Sequence, residues 1–96
     1  MKIVVNGCYG GFSLSRKAMK LLGVDDESVF DYYHDVKKRT DKKLVSVVEQ
    51  LGDEASGANS CLMVVEFPDN ATDYRIVDYD GIEDVYYVVN GKIGIA

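Results

Sequence analysis

All but one of the strand-like segments of this chain follow residue 60, and the helix-like segments precede it. The exception is Lys2-Ile3-Val4-Val5-Asn6, a short, continuous, β-branched run of the kind that forms a buried strand. Two helical stripes come next. Leu14, Ala18, Leu21 and Leu22 share one face, with Ser15 placed as N-cap, Leu14 and Met19 spaced as a hydrophobic staple, and Gly23 as terminator. Leu44, Val47, Val48, Leu51 and Ala55 form the second stripe, capped by Thr40 or Asp41 and expected to end at Gly57. Between them Val29, Tyr32, Tyr33 and Val36 recur at helical spacing behind Asp25 and Asp26, but an extended loop fits residues 26–37 nearly as well. Strand patterns then cover 62–67, 74–79, 85–89 and 92–95, separated by Pro68-Asp69-Asn70, Asp80-Gly81 and the hairpin dipeptide Asn90-Gly91. One early strand, then helices, then hairpins predicts an α+β fold. The expected form is a single two-layer domain over 1–96. A mixed sheet of four to five strands carries two helices, or three, on one face and ends in a β-meander.

The charge distribution narrows the partners. Residues 1–43 carry nine basic and six acidic side chains, a net of +3, whereas 44–96 carry two and ten, a net of −8. The acidic half would repel duplex nucleic acid. The two halves read as adjacent charged faces or, alternatively, as complementary surfaces for head-to-tail self-association, so a homo-oligomer is expected. No apolar run reaches the ~18 residues that span a bilayer, and Met1–Asn6 turns polar too soon for a signal peptide. The expected location is the cytoplasm. In that compartment Cys8 and Cys61 read as free thiols, bridging only if the loop of one neighbours the strand start of the other.

The candidate site is the segment Asn6-Gly7-Cys8-Tyr9-Gly10-Gly11-Phe12-Ser13, between the first strand and the first helix. Its glycines permit backbone conformations closed to other residues, and its amides can face an anion or another ligand. It lacks the Lys-Ser/Thr ending of a P-loop, and Gly7-x-x-Gly10-Gly11 is not the dinucleotide fingerprint. Arg16 and Lys17 sit in the first helical turn, where the dipole prefers acids, an arrangement that suits an anionic ligand or a neighbouring carboxylate. The proposed ligand set is Asn6, Gly7, Tyr9, Gly10, Gly11, Phe12, Ser13, Arg16, Lys17 and Arg39. The loop would give donors, the cations charge, and Tyr9 or Phe12 a stacking face.

Other candidates weigh less. Cys8 has no base at hand, since His34 is the only histidine and nothing in the sequence brings it near, so catalysis is not favoured. Asp78-x-Asp80-Gly81-x-Glu83-Asp84 misplaces the glycine for a calcium loop and reads as a solvated turn, not a metal site. Seven of ten aromatics are tyrosines, which suit interfaces and base stacking, and of Tyr86 and Tyr87 one must point away from the core. No cofactor is implied.

The string Asn6-Gly7-Cys8-Tyr9-Gly10-Gly11-Phe12-Ser13-Leu14-Ser15 resembles the opening of a family of small bacteriophage and prophage proteins, which begin with a strand and Asn-x-Cys-Tyr-Gly-Gly-Phe-x-Leu-Ser. Arg39-Thr40-Asp41 with Leu44, Val47-Val48-Glu49 and Leu51-Gly52 is similar to that family's central helix. Val64-Val65-Glu66-Phe67-Pro68-Asp69 and Tyr79-Asp80-Gly81-Ile82-Glu83 are similar to its later strands. The segment from Tyr86 to Ala96 departs from the family's basic, aromatic ending. The resemblance implies a viral origin and an accessory or host-directed role in the host cytoplasm, without an assigned activity. The resulting expectation is a non-catalytic protein that binds a small anionic or nucleotide-like ligand, in one version a host immune signal. The alternative is an acidic module that docks on a host protein through Asp78, Asp80, Glu83 and Asp84.

Overall fold

A computed structural model describes residues 1–25 and 32–96. Among the described residues five strands form: β1 (Lys2–Asn6), β2 (Leu62–Glu66), β3 (Asp73–Tyr79), β4 (Ile82–Val89) and β5 (Lys92–Ile95). Two α-helices lie wholly within the described residues, α1 (Arg16–Leu22) and α2 (Lys42–Leu51), with 3-10 turns at Val36–Thr40 and Gly52–Ala55. The α+β class is as expected. The open choice over residues 26–37 falls partly outside the described residues; of the rest, 32–34 are helical and the 3-10 turn begins at Val36.

The caps form as their residue types dictate. The Ser15 hydroxyl accepts from the Ala18 amide at 3.1 Å, and Gly23 closes α1 with φ 72°. At α2 the cap is Asp41, whose carboxylate accepts from the Leu44 amide at 3.1 Å. This helix stops at Gly52 (φ 58°) instead of Gly57. Gly57 answers another need. Its amide donates to the Ser13 carbonyl at 3.0 Å, and a Cβ there would run into Ser13 and Leu14.

The single mixed sheet is replaced by two antiparallel ones: a β1–β2 ribbon and a β3–β4–β5 meander. The ribbon lies between two cores. Val4, Leu62 and Val64 on one face join Leu14, Ala18, Leu22, Leu44 and Val48 from the helices. Ile3, Val5 and Val65 on the other face pack with Phe67, Tyr74, Ile76, Val85 and Tyr87. Helices, ribbon and meander therefore make three tiers where two were expected. The continuous apolar run of β1 has this physical cause, because a strand buried on both faces cannot alternate.

The sheets stay separate because side chains occupy the outer edge of β1. Alternation along the ladder turns Val4 and Asn6 away from β2. The Val4 carbonyl accepts from Arg39 Nη1 at 3.3 Å, and the Asn6 amide donates to Glu83 Oε1 at 2.8 Å. Arg39 and Glu83 thus take the hydrogen bonds that a third strand would otherwise make, and buried main-chain groups demand such partners.

Candidate ligand-binding cleft

Three segments meet where β1 ends. The first is the glycine loop, where Gly10 (φ 121°) and Gly11 (φ 90°) hold conformations that exclude side chains. The β3–β4 turn presses against them so closely that a Cβ on Gly81 would overlap both of their amide nitrogens. Asn6, fully buried, ties these parts together. Its Nδ2 donates to the carbonyls of Cys8 and Gly81, each at 2.6 Å, while its Oδ1 accepts from the Cys61 amide at 2.8 Å.

The second segment delivers Arg39, which is 5% exposed and faces Glu83 at 8%. The pair is bidentate, with Nη1–Oε1 at 2.7 Å and Nη2–Oε2 at 2.9 Å, two parallel charge-assisted hydrogen bonds. Arg39 Nε also donates to the Tyr33 carbonyl at 2.5 Å, and the guanidinium lies 3.7 Å from the centroid of the Phe12 ring. Tyr33 stands 5.9 Å from Phe12 and meets Tyr32 edge-on at 4.8 Å.

These groups border a cleft of about 460 Å³. Gly10, Gly11 and Phe12 form one wall, Tyr33, His34, Val36 and Arg39 a second, and Ile76, Asp78 and Glu83 from the meander a third. The volume lies within the ~300–1,000 Å³ typical of small-ligand pockets. The cleft is lined by groups of both charge signs. Among the described lining residues the guanidinium of Arg39 is engaged by a carboxylate, and Asp78 adds a second acid, which accepts from the Gly81 amide at 2.9 Å.

Of the ten residues in the sequence-based set, the structure brings Gly10, Gly11, Phe12 and Arg39 together at the cleft. Asn6 is enclosed and engaged by protein groups, Gly7 packs beside Met63, and Tyr9 is 65% exposed away from the cleft. Ser13 donates its hydroxyl to the Ala58 carbonyl at 3.2 Å. Arg16 is exposed, and Lys17 pairs with Glu54 at 3.0 Å, so a neighbouring carboxylate accounts for that cation at the start of α1. The recess therefore lies beside Phe12, Tyr33 and Arg39 and not beside Arg16 and Lys17.

Sequence reasoning missed Tyr33, His34, Val36, Ile76, Asp78 and Glu83 as wall residues. Glu83 had a readable signal, because it falls in phase with Val85 and Tyr87 on the inward face of β4, not in a solvated turn.

Burial, then the charges of Asp41 and Tyr32, push the Tyr33 phenol up to about 12. The folded protein thus holds this proton more tightly than the unfolded chain, whose tyrosine titrates near ~10. The contribution to stability is complete below that pH and disappears as pH rises towards the folded value. Tyr33→Phe should remove on the order of 2 kcal/mol of alkaline destabilisation between roughly pH 10 and 12. Urea titrations of both proteins across that window measure it, and parallel curves would refute it.

Among the described residues no helix is long and apolar enough to cross a membrane. No family model, curated protein or solved structure matches the chain.

Proposed function

We propose that the protein is a non-catalytic binder of a flat, nucleoside-like ligand, inserted base-first into the cleft. The supporting observation is the composition of the walls: Phe12 and Tyr33 offer aromatic surface, and Asp78 and the glycine backbone offer hydrogen-bonding groups. Aromatic walls with a few polar groups suit a base and a ribose. Two carboxylates against one engaged guanidinium argue against a phosphate in the interior. The nucleotide-like half of the sequence expectation is therefore retained and the small-anion half is not; any phosphate would face solvent. The resemblance at Asn6–Ser15 supports placing this binder among phage accessory proteins that act in the host cytoplasm by sequestering such a molecule.

Homo-oligomerisation belongs to the same proposal and rests on the outer face of the meander. Val77, Ile93 and Ile95 there are 41%, 73% and 60% exposed, beside Tyr86 and Val88. Asp73, Arg75 and Asp84 share this face by register, so a second copy related by a two-fold axis offers opposite charges and an apolar match. That occupant is favoured over a host protein docked through the acidic turn, since Glu83 of that cluster is buried against Arg39.

Native mass spectrometry of freshly purified protein, followed by denaturation and analysis of released molecules, tests both parts. A nucleoside or nucleotide should co-purify or, when added at 100 times its Kd, stabilise the fold by about 2.7 kcal/mol, while inorganic phosphate should not. Failure of every nucleoside and nucleotide to shift the melting temperature, with none co-purifying, overturns the ligand assignment. A monomeric native mass overturns the assembly.

A further inference from the structure

The two cysteines, distant in sequence, meet at the open end of the ribbon. Beyond Asn6 the chain bends out of β1 at Cys8, and opposite it Cys61 leads into β2. The Gly7 amide still donates to the Cys61 carbonyl at 2.9 Å, one step past the end of the ladder. One atom then holds both cysteines: Asn6 Oδ1 accepts from the Cys61 amide at 2.8 Å and from the Cys8 thiol at 3.6 Å. The Cys8 thiol also reaches the Asn59 carbonyl at 3.7 Å. Gly10 packs so tightly on Asn59 that a Cβ would collide with it, which fixes the loop against the segment carrying Cys61. A hydrogen bond with the Cys61 thiol, followed by burial, pushes the Cys8 thiol up. Both are free thiols in this structure, Cys61 exposed and Cys8 half-buried.

We propose that Cys8 and Cys61 are a reversible dithiol–disulfide site, oxidised by a peroxide, that locks the glycine loop to the start of β2. The exposed Cys61, as thiolate, attacks the peroxide. An S–O bond forms, the O–O bond breaks, and the leaving hydroxide takes a proton to become water (or an alcohol, for an organic peroxide). Cys8 then attacks the sulfenic sulfur of Cys61; an S–S bond forms, the S–O bond breaks, and a second oxygen leaves as water. The two thiols lose two electrons together and the peroxide gains them. A small dithiol reverses the process by exchange. The lock bears on the cleft because Cys8 lies two residues before Gly10, at the root of the wall formed by Gly10, Gly11 and Phe12.

The test uses the intact chain and does not depend on what occupies the cleft. Hydrogen peroxide treatment followed by N-ethylmaleimide should give an unalkylated chain lighter by about 2 Da, with a cross-linked peptide joining positions 8 and 61. Dithiothreitol should restore two alkylation sites. Oxidation should run at least ~10-fold faster in the folded chain than in strong denaturant, because the fold holds the thiols together. The oxidised protein should melt roughly 10 °C or more above the reduced one. Two maleimides on every chain after peroxide, a disulfide between chains, or equal rates with and without denaturant would overturn the proposal.

Discussion

Glu83→Gln is expected to cost about 3–5 kcal/mol of stability, because it strands the buried guanidinium of Arg39 without a counter-charge. The substitution keeps one oxygen able to accept from the Asn6 amide and Arg39 Nη1, but its NH2 replaces the oxygen that accepts from Arg39 Nη2, so the loss reports the charge together with that hydrogen bond. A domain of this size has only about 5–10 kcal/mol in hand, so the variant should be largely unfolded in modest urea. Arg39→Met alone should cost a similar amount by leaving Glu83 charged and enclosed. The two together remove both charges, and the double variant should be at least ~2 kcal/mol more stable than the sum of the single effects predicts. A urea double-mutant cycle reads this directly. Additivity within about 0.5 kcal/mol would show that the pair is not coupled.

The second large effect is expected at Asn6. Its carboxamide uses both donor hydrogens and both acceptor sites, on the carbonyls of Cys8 and Gly81, the Cys61 amide and the Cys8 thiol. Asn6→Ala leaves three main-chain groups of the loop, the β3–β4 turn and the start of β2 without partners. Each such group costs about 1–3 kcal/mol where water cannot reach it, so a total of about 3 kcal/mol is expected. Asn6→Asp preserves the shape but sets carboxylate oxygens against two carbonyls, and at neutral pH it should cost at least as much. Denaturant melts give the magnitudes. A loss below ~1 kcal/mol for both variants would mean that water replaces the carboxamide.

These two residues also mark what the sequence could not disclose. Local signals were readable where the cause is local: Ser15 and Asp41 cap helices, Gly23 terminates one, and Asn90-Gly91 turns the last hairpin with both residues at positive φ. The β-branched run of β1 announced a buried strand. What lay hidden depends on residues brought together from afar. Gly57 is a glycine because Ser13 lies against it, which no window around it records. The split into two sheets follows from Arg39 and Glu83, 44 positions apart, taking the edge of β1. Asn6, expected to serve a ligand, serves the protein, because a buried carboxamide with three main-chain neighbours is already satisfied. The cleft was legible in part: Phe12 and the paired glycines were named, whereas Tyr33 and Asp78 reach it from segments read as a helix face and a turn.

The enclosure of β1 bears on the order in which the molecule can assemble. β1 finds its ladder partner only at residues 62–66, and its outer edge is completed only when Glu83 joins Arg39. The helices synthesised in between have no finished surface to settle on until most of the chain exists. Contacts across such separations are paid for in loop entropy before they return any stability, which slows folding. The helical half is therefore not an early folding unit, and the chain should acquire its structure late and in a single concerted step.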